Sequence, residues 1–286
     1  MVKHWEQMIM ERQVTECVST EELFVLWQVM QQMEAPENGE ICYPEIDRRT
    51  FHIDGKLSEQ GYDGTVYLLR EPDMRAYIQQ GSRMPAIVDA RRMIREKGIR
   101  FEPALRHVIG MQRILNGAAG EDMSDEELLA RCALVYVNKR GGKESGDGLC
   151  CRYGLFYIEF LRRQLKLLAP KRIVCCGEDI FRLAVKEVVA SKKQIKNKGE
   201  HTVWKDVVKG FTCYADENLR PAGSEGSRSC TLLHMWNPSY RVNKETYVSL
   251  DEYLKEFKRR IADGEGCADE EGRADEEHKQ AEQTKK

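Results

Sequence analysis

The sequence predicts an α/β fold. It is expected to be a three-layer α/β/α arrangement around a central, mostly parallel four-stranded sheet, with an N-terminal helical extension and a disordered acidic C-terminal tail. Three observations predict it. From residue 65 onward, short apolar runs rich in β-branched residues alternate with longer stretches of helical periodicity, the pattern of a parallel sheet covered on both faces. The strand-like runs are almost continuously apolar, which suits strands buried on both sides. Finally, 286 residues with 41% hydrophobic content can build one substantial core or two small ones, and one domain with extensions is expected.

The elements follow in order. Residues 1–33 place apolar side chains at helical spacing ("ELFVLWQVMQQM") until Pro36, Asn38 and Gly39 stop the pattern, so a helical extension over 1–60 should pack on the body. A loop-rich stretch containing "HIDGKLSEQGYDG" leads to "TVYLLR" (65–70), the first core strand of a domain spanning 61–262. Helices are expected over roughly 86–97 and 101–116, and "SDEELLARC" carries Ser124 and Glu127 at capping-box spacing. "ALVYVN" (133–138) is the second strand, a helix over 152–169 ends at Pro170, and "RIVCCG" is the third strand. After the helix "EDIFRLAVKEVVAS", the stretch "HTVWKDVVKGFTCYA" suggests an edge strand or hairpin. "TLLHMW" (231–236) is the last core strand and "SLDEYLKEFKRRI" the last helix. Residues 263–286 hold nine acidic and four basic residues with almost no large apolar side chain. Such a tail cannot offset its ordering entropy and should be disordered.

Composition excludes several classes. No run of 18 or more apolar residues exists and the charged N-terminus lacks a signal-peptide core, so a soluble cytoplasmic protein with no membrane partner is expected. The ten cysteines include the adjacent pairs Cys150-Cys151 and Cys175-Cys176 but no Cys-x-x-Cys spacing, so neither a metal nor any other cofactor is expected. Residues 162–209 carry thirteen Lys or Arg against five Asp or Glu. A solvated helical face with a basic loop explains such a run, and a surface facing a polyanion is the alternative. The glycine-rich "NKRGGKESGDG" has neither P-loop nor dinucleotide-fingerprint spacing.

In an open parallel sheet a ligand sits outside the carboxyl ends of the strands, so the residues leaving each strand are the candidates for function. They are Glu71-Pro72-Asp73, Asn138-Lys139-Arg140, Gly177 and Asn237-Pro238-Ser239. Proline forces the residue before it to be extended, which makes Glu71 and Asn237 the last extended residues of their strands. A lone polar-Pro pair usually only caps a loop. A carboxylate and two carboxamides converging on one apolar sheet edge instead suit a small planar polar ligand.

The stretches "LLREPD", "VYVNKRGG", "LLAPKRIVCCG" and "MWNPSYR", in that order over about 65–245, resemble the uracil-DNA glycosylase superfamily. The first 60 residues and the tail have no counterpart in it. The resemblance implies a DNA glycosylase that flips a modified or deaminated pyrimidine out of DNA and hydrolyses its N-glycosidic bond. Prokaryotic relatives act in base-excision repair, and some act in antiviral defence by removing hypermodified bases from phage DNA. Carried onto this chain, the resemblance makes Glu71 the catalytic carboxylate and Asn237 the group facing the departing base. Asn138 becomes the base-reading carboxamide, with Asp73 and Tyr77 beside the base and Tyr77 a candidate to stack on it. Lys139, Arg140, Ser239, Tyr240 and Arg241 would contact DNA.

Two departures bear on the substrate. Asn237 stands where most branches have His, and "LREPD" replaces a Gly-led motif, so a base other than plain uracil is expected. A non-catalytic nucleic-acid or nucleotide-binding module on the same fold is the alternative. A protein-interaction scaffold is the least specific one.

Overall fold

The computed structural model describes residues 13–33, 50–72, 86–98, 102–140, 149–188, 207–211, 230–238 and 248–262. In chain order these form α1 (Thr20–Met33), β1 (Phe51–Ile53), β2 (Gly55–Lys56), β3 (Thr65–Leu69), β4 (Ile87–Asp89), α2 (Ala90–Lys97) and α3 (Leu105–Leu115). Then come α4 (Gly117–Glu121), α5 (Asp125–Ala130), β5 (Cys132–Tyr136), α6 (Leu149–Phe156), α7 (Ile158–Leu168), β6 (Arg172–Cys176), α8 (Glu178–Glu187), β7 (Val207–Phe211) and β8 (Cys230–Met235). A last helix, α9, covers 250–262.

The chain is mixed α/β with a parallel-rich sheet. That sheet has six strands in the order β2-β5-β3-β6-β8-β7, where four were expected. The middle four are parallel, while β2 and β7 pair antiparallel at the two edges. Side chains alternate across it. Val66, Leu68, Val135 and Ile173 enter one apolar cluster with Trp27, Phe160 and Phe181 of α1, α7 and α8. Tyr67, Leu69, Leu134 and Val174 enter a second with Ile94, Val108 and Phe257 of α2, α3 and α9. Both faces are therefore buried, which is why the strand runs lack polar alternation.

Several elements depart from expectation. Residues 51–53 and 55–56 are strands, within the 1–60 span expected as a helical extension and overlapping the stretch expected to be loop-rich, and β1 pairs in parallel with β4 in a separate two-stranded sheet. The helix expected from residue 86 begins only at Ala90, because Ile87–Asp89 is extended and Asp89 caps α2 by accepting the Arg92 N–H at 3.1 Å. The single helix expected over 152–169 is two. Tyr157 leaves helical dihedrals (φ −104°, ψ 29°) between α6 and α7, its ring 4.6 Å from that of Tyr153 and 6.0 Å from those of Trp27 and Phe160. Ala169, in the left-handed region at φ 47°, ends α7 ahead of Pro170. The capping box of Ser124 and Glu127 opens α5 with both reciprocal hydrogen bonds. The acidic tail and the "SKKQIKNKG" loop lie outside the described residues.

Candidate active site

Strand order locates the crevice. The chain leaves β3 in one direction to reach β5 and in the other to reach β6 and β8, so the order reverses between β3 and β6, where α/β sheets bind ligands. Pairing supports that position. The β3–β6 ladder ends at Leu68 and Cys175, whereas β3–β5 runs on to Leu69 and Tyr136 and β6–β8 to Cys176 and Met235. At the seam the ladder stops a residue sooner than on either side. Beyond it the exits are tied in pairs. Val137 and Asn138 donate their backbone N–H groups to Leu69 O and Arg70 O at 2.9 and 2.8 Å, and Gly177 donates its own to Met235 O at 2.7 Å.

The first pair of exits carries Glu71 and Asn138. Asn138 Nδ2 donates to Glu71 Oε2 at 2.8 Å, and Asn138 Oδ1 accepts the Arg140 N–H at 3.0 Å. Asn138 is buried and Glu71 half-buried. The amide keeps a second N–H and a second lone pair beyond these two bonds, the donor and acceptor needed to read a base edge. The second pair carries Gly177 and half-buried Asn237. A Cβ on Gly177 would stand 3.9 Å from the Asn237 Cβ, ordinary contact distance, so Asn237 lies beside the end of β6.

Sequence reasoning missed what joins the two pairs. Arg70, next to Glu71, reaches Asp179 in the first turn of α8 at 3.0 Å, so an ion pair spans the seam. Cys150 Sγ donates to Arg70 O at 3.1 Å, and Cys151 Sγ lies 3.7 Å from Asp179 Oδ2. Burial, with the Glu71 charge next in weight, pushes the Cys150 thiol well above its ordinary value. Burial and the Asp179 charge push Cys151 up to about 11. Both thiols stay protonated near neutral pH and are poor nucleophiles. The sequence carried a signal for Arg70 and Asp179, since both flank strand exits.

Lys139 and Arg140 do not present the DNA-contacting side chains expected of them. Lys139 is 0% exposed and donates to Asp54 Oδ2 at 2.5 Å, and Arg140 is 2% exposed. An ammonium enclosed by protein cannot meet a phosphate. The described portion of the basic stretch is partly engaged within the fold, while Lys171, Arg182 and Lys186 remain exposed. Arg162 pairs with Glu159 and Glu187, buried Arg163 donates to Cys17 O, and Arg182 pairs with Glu178. Asp73, Tyr77, Ser239, Tyr240 and Arg241 lie outside the described residues.

Open cavities among the described residues lie elsewhere. One of about 590 Å³ is lined by α3 and α9, including Arg106, Arg113, Leu254 and Lys258. One of about 400 Å³ lies beside Trp236 and Glu256. Neither is lined by Glu71, Asn138 or Asn237, and their mixed charges offer no convergent polar set, so the strand exits have the better claim. Among the described residues no three His, Cys, Asp or Glu side chains cluster closely enough to hold a metal ion, and no helix is long and apolar enough to cross a membrane.

Neither the protein-family models nor the curated proteins yield a match to this chain.

Proposed function

We propose that this chain is a monofunctional DNA glycosylase, built on a three-layer α/β/α domain and working in the cytoplasm, either in defence against phage DNA with hypermodified cytosine or in base-excision repair. The reading rests on one observation above all. A carboxylate and a carboxamide, Glu71 and Asn138, lie 2.8 Å apart at the strand-order reversal of a parallel sheet, with Asn237 across the seam.

Each group has a task in hydrolysing an N-glycosidic bond. As the C1′–N bond breaks, positive charge spreads over the sugar ring. The Glu71 carboxylate offsets that charge, orients the water whose oxygen bonds to C1′ and takes the proton that the water loses, and the departing base anion then gains a proton from solvent. The pair of electrons left on the base needs a hydrogen-bond donor, and the Asn237 carboxamide supplies one without transferring a proton. The spare N–H and lone pair of Asn138 select a pyrimidine edge. A donor that gives no proton suits a base that leaves as an anion held by its own ring carbonyls, so the substrate assay and not Asn237 decides among the candidate bases.

A second reading, binding without chemistry, is favoured by the burial of Asn138 and by its engagement with Glu71. One experiment separates the two. Oligonucleotides carrying uracil, a thymine mismatch, hydroxymethylcytosine or glucosylated hydroxymethylcytosine are incubated with the protein and then treated with alkali, which cuts at abasic sites. Cleavage of at least one substrate, lost in Glu71→Gln, is the expected result. No Glu71-dependent cleavage of any substrate would leave the binding module as the better reading.

A further inference from the structure

Directly behind Asn138 lies a buried polar cluster that the proposed chemistry does not use. Lys139 Nζ donates to Asp54 Oδ2 at 2.5 Å and to Gln164 Oε1 at 2.9 Å, and Gln164 Nε2 closes the ring on Asp54 Oδ1 at 2.6 Å. Asp54 Oδ2 also accepts the Tyr136 N–H at 2.7 Å. All three side chains are at most 2% exposed. The ammonium lies 5.0 Å from the Trp27 ring and 5.7 Å from that of Phe24, close enough for cation–π attraction. The backbone is held as firmly, since Lys139 O accepts the His52 N–H at 2.8 Å and the His52 ring stands 2.8 Å from the same oxygen. Four separate pieces of chain, α1, the β1–β2 junction, α7 and the exit of β5, thus meet on one residue.

Stability alone does not account for the cluster. Removing both charges from water is costly, and apolar residues of similar volume often serve a core equally well. What a buried polar network adds is a single defined geometry. Side chains alternate along an extended exit: Val137 and Lys139 turn toward the α1 and α7 face, and Asn138 turns away from it toward Glu71. Fixing Lys139 at both backbone and side chain therefore fixes the direction of the residue before it.

We propose that Asp54, Lys139 and Gln164 are positioning residues that aim the Asn138 carboxamide at Glu71 and at the base between them. The proposal rests on the glycosylase reading for its catalytic meaning, but its geometric content can be measured without activity. The Arg140 N–H donates to Asn138 Oδ1, so its exchange with solvent reports directly on the carboxamide's placement.

The test uses the full-length chain and the double variant Asp54→Asn with Lys139→Met, which removes both charges while keeping side-chain size. Its thermal midpoint is expected to stay near that of the wild type. Arg140 amide exchange should speed up by about tenfold or more, and kcat for base excision should fall on the order of 10²-fold with KM little changed. Gln164→Met leaves the ion pair intact and should show the same signature at smaller size. It also serves if the double variant does not fold. Wild-type exchange and wild-type kcat in a folded variant would overturn the proposal. If the wild-type protein excises no base at all, the glycosylase reading fails on its own, and the Arg140 exchange rate alone upholds or overturns the positioning role.

Discussion

Gly177 adopts φ 134° and ψ 145° where β6 turns into α8, and a Cβ there would stand 2.9 Å from Asp179 Oδ1. Only glycine takes that backbone conformation without strain. Gly177→Ala is expected to cost about 1–3 kcal/mol, measured as a loss of urea stability. An unchanged urea midpoint would mean that the turn relaxes freely. At Glu71 the expectation is the reverse: Glu71→Gln keeps an oxygen for Asn138 and should leave the thermal midpoint unchanged while lowering kcat by roughly 10²–10³-fold. Glu71, Asn138 and Asn237 drew notice in the sequence because each stands just beyond an apolar strand run, and the structure brings Glu71 and Asn138 into contact there. Lys139 and Arg140 were misread for a physical reason. A sequence gives the sign of a charge but not its depth, and the partners of Lys139, Asp54 and Gln164, come from a loop and a helix far away in the chain.

Some helix ends were legible because their chemistry is local. The Ser124–Glu127 box reads directly from four consecutive letters, and Ser249 with Glu252 opens α9 by the same reciprocal bonds. Asp89 was hidden within a stretch assigned to helix, although Asp89→Ala should destabilise the protein by about 1 kcal/mol, within a range of roughly 0.5–2, in chemical unfolding. Along α9, hydrogen bonds from Arg259 and Arg260 hold the Glu256 carboxyl down to about 2, with partial burial opposing them. A carboxyl depressed on folding contributes stability above its unfolded value of 4.5, and that contribution is lost as pH falls toward about 2. Urea midpoints measured across that interval should fall, and Glu256→Gln should flatten the slope. An equally steep slope in the variant would assign the loss to other carboxylates. The break at Tyr157 was not legible, because the rings that surround it belong partly to α1, more than a hundred residues earlier.

At the scale of the whole molecule, two histidines among the described residues oppose folding in mild acid. Burial lowers the pKa of both His52 and His107 to about 4, with the neighbouring charges of Lys139 and Arg106 acting in the same direction. The unfolded chain takes up these protons near 6.5 and the folded chain only near 4, so stability falls as pH drops through that window. Unfolding midpoints between pH 7 and pH 4 should show the decline, and replacing both histidines with glutamine should reduce it. The parallel middle of the sheet was legible from unbroken apolar runs. The edge strand β2 was not, since two residues in a loop-like stretch carry no period. The seam between β3 and β6, where pairing stops one residue short, has a consequence for how such a site can change. Its floor is main chain held by ladders on either side. In the proposed glycosylase, selectivity for one base over another is then free to drift at the rim, through residues such as Asn237, while Glu71 and the bed beneath stay the same.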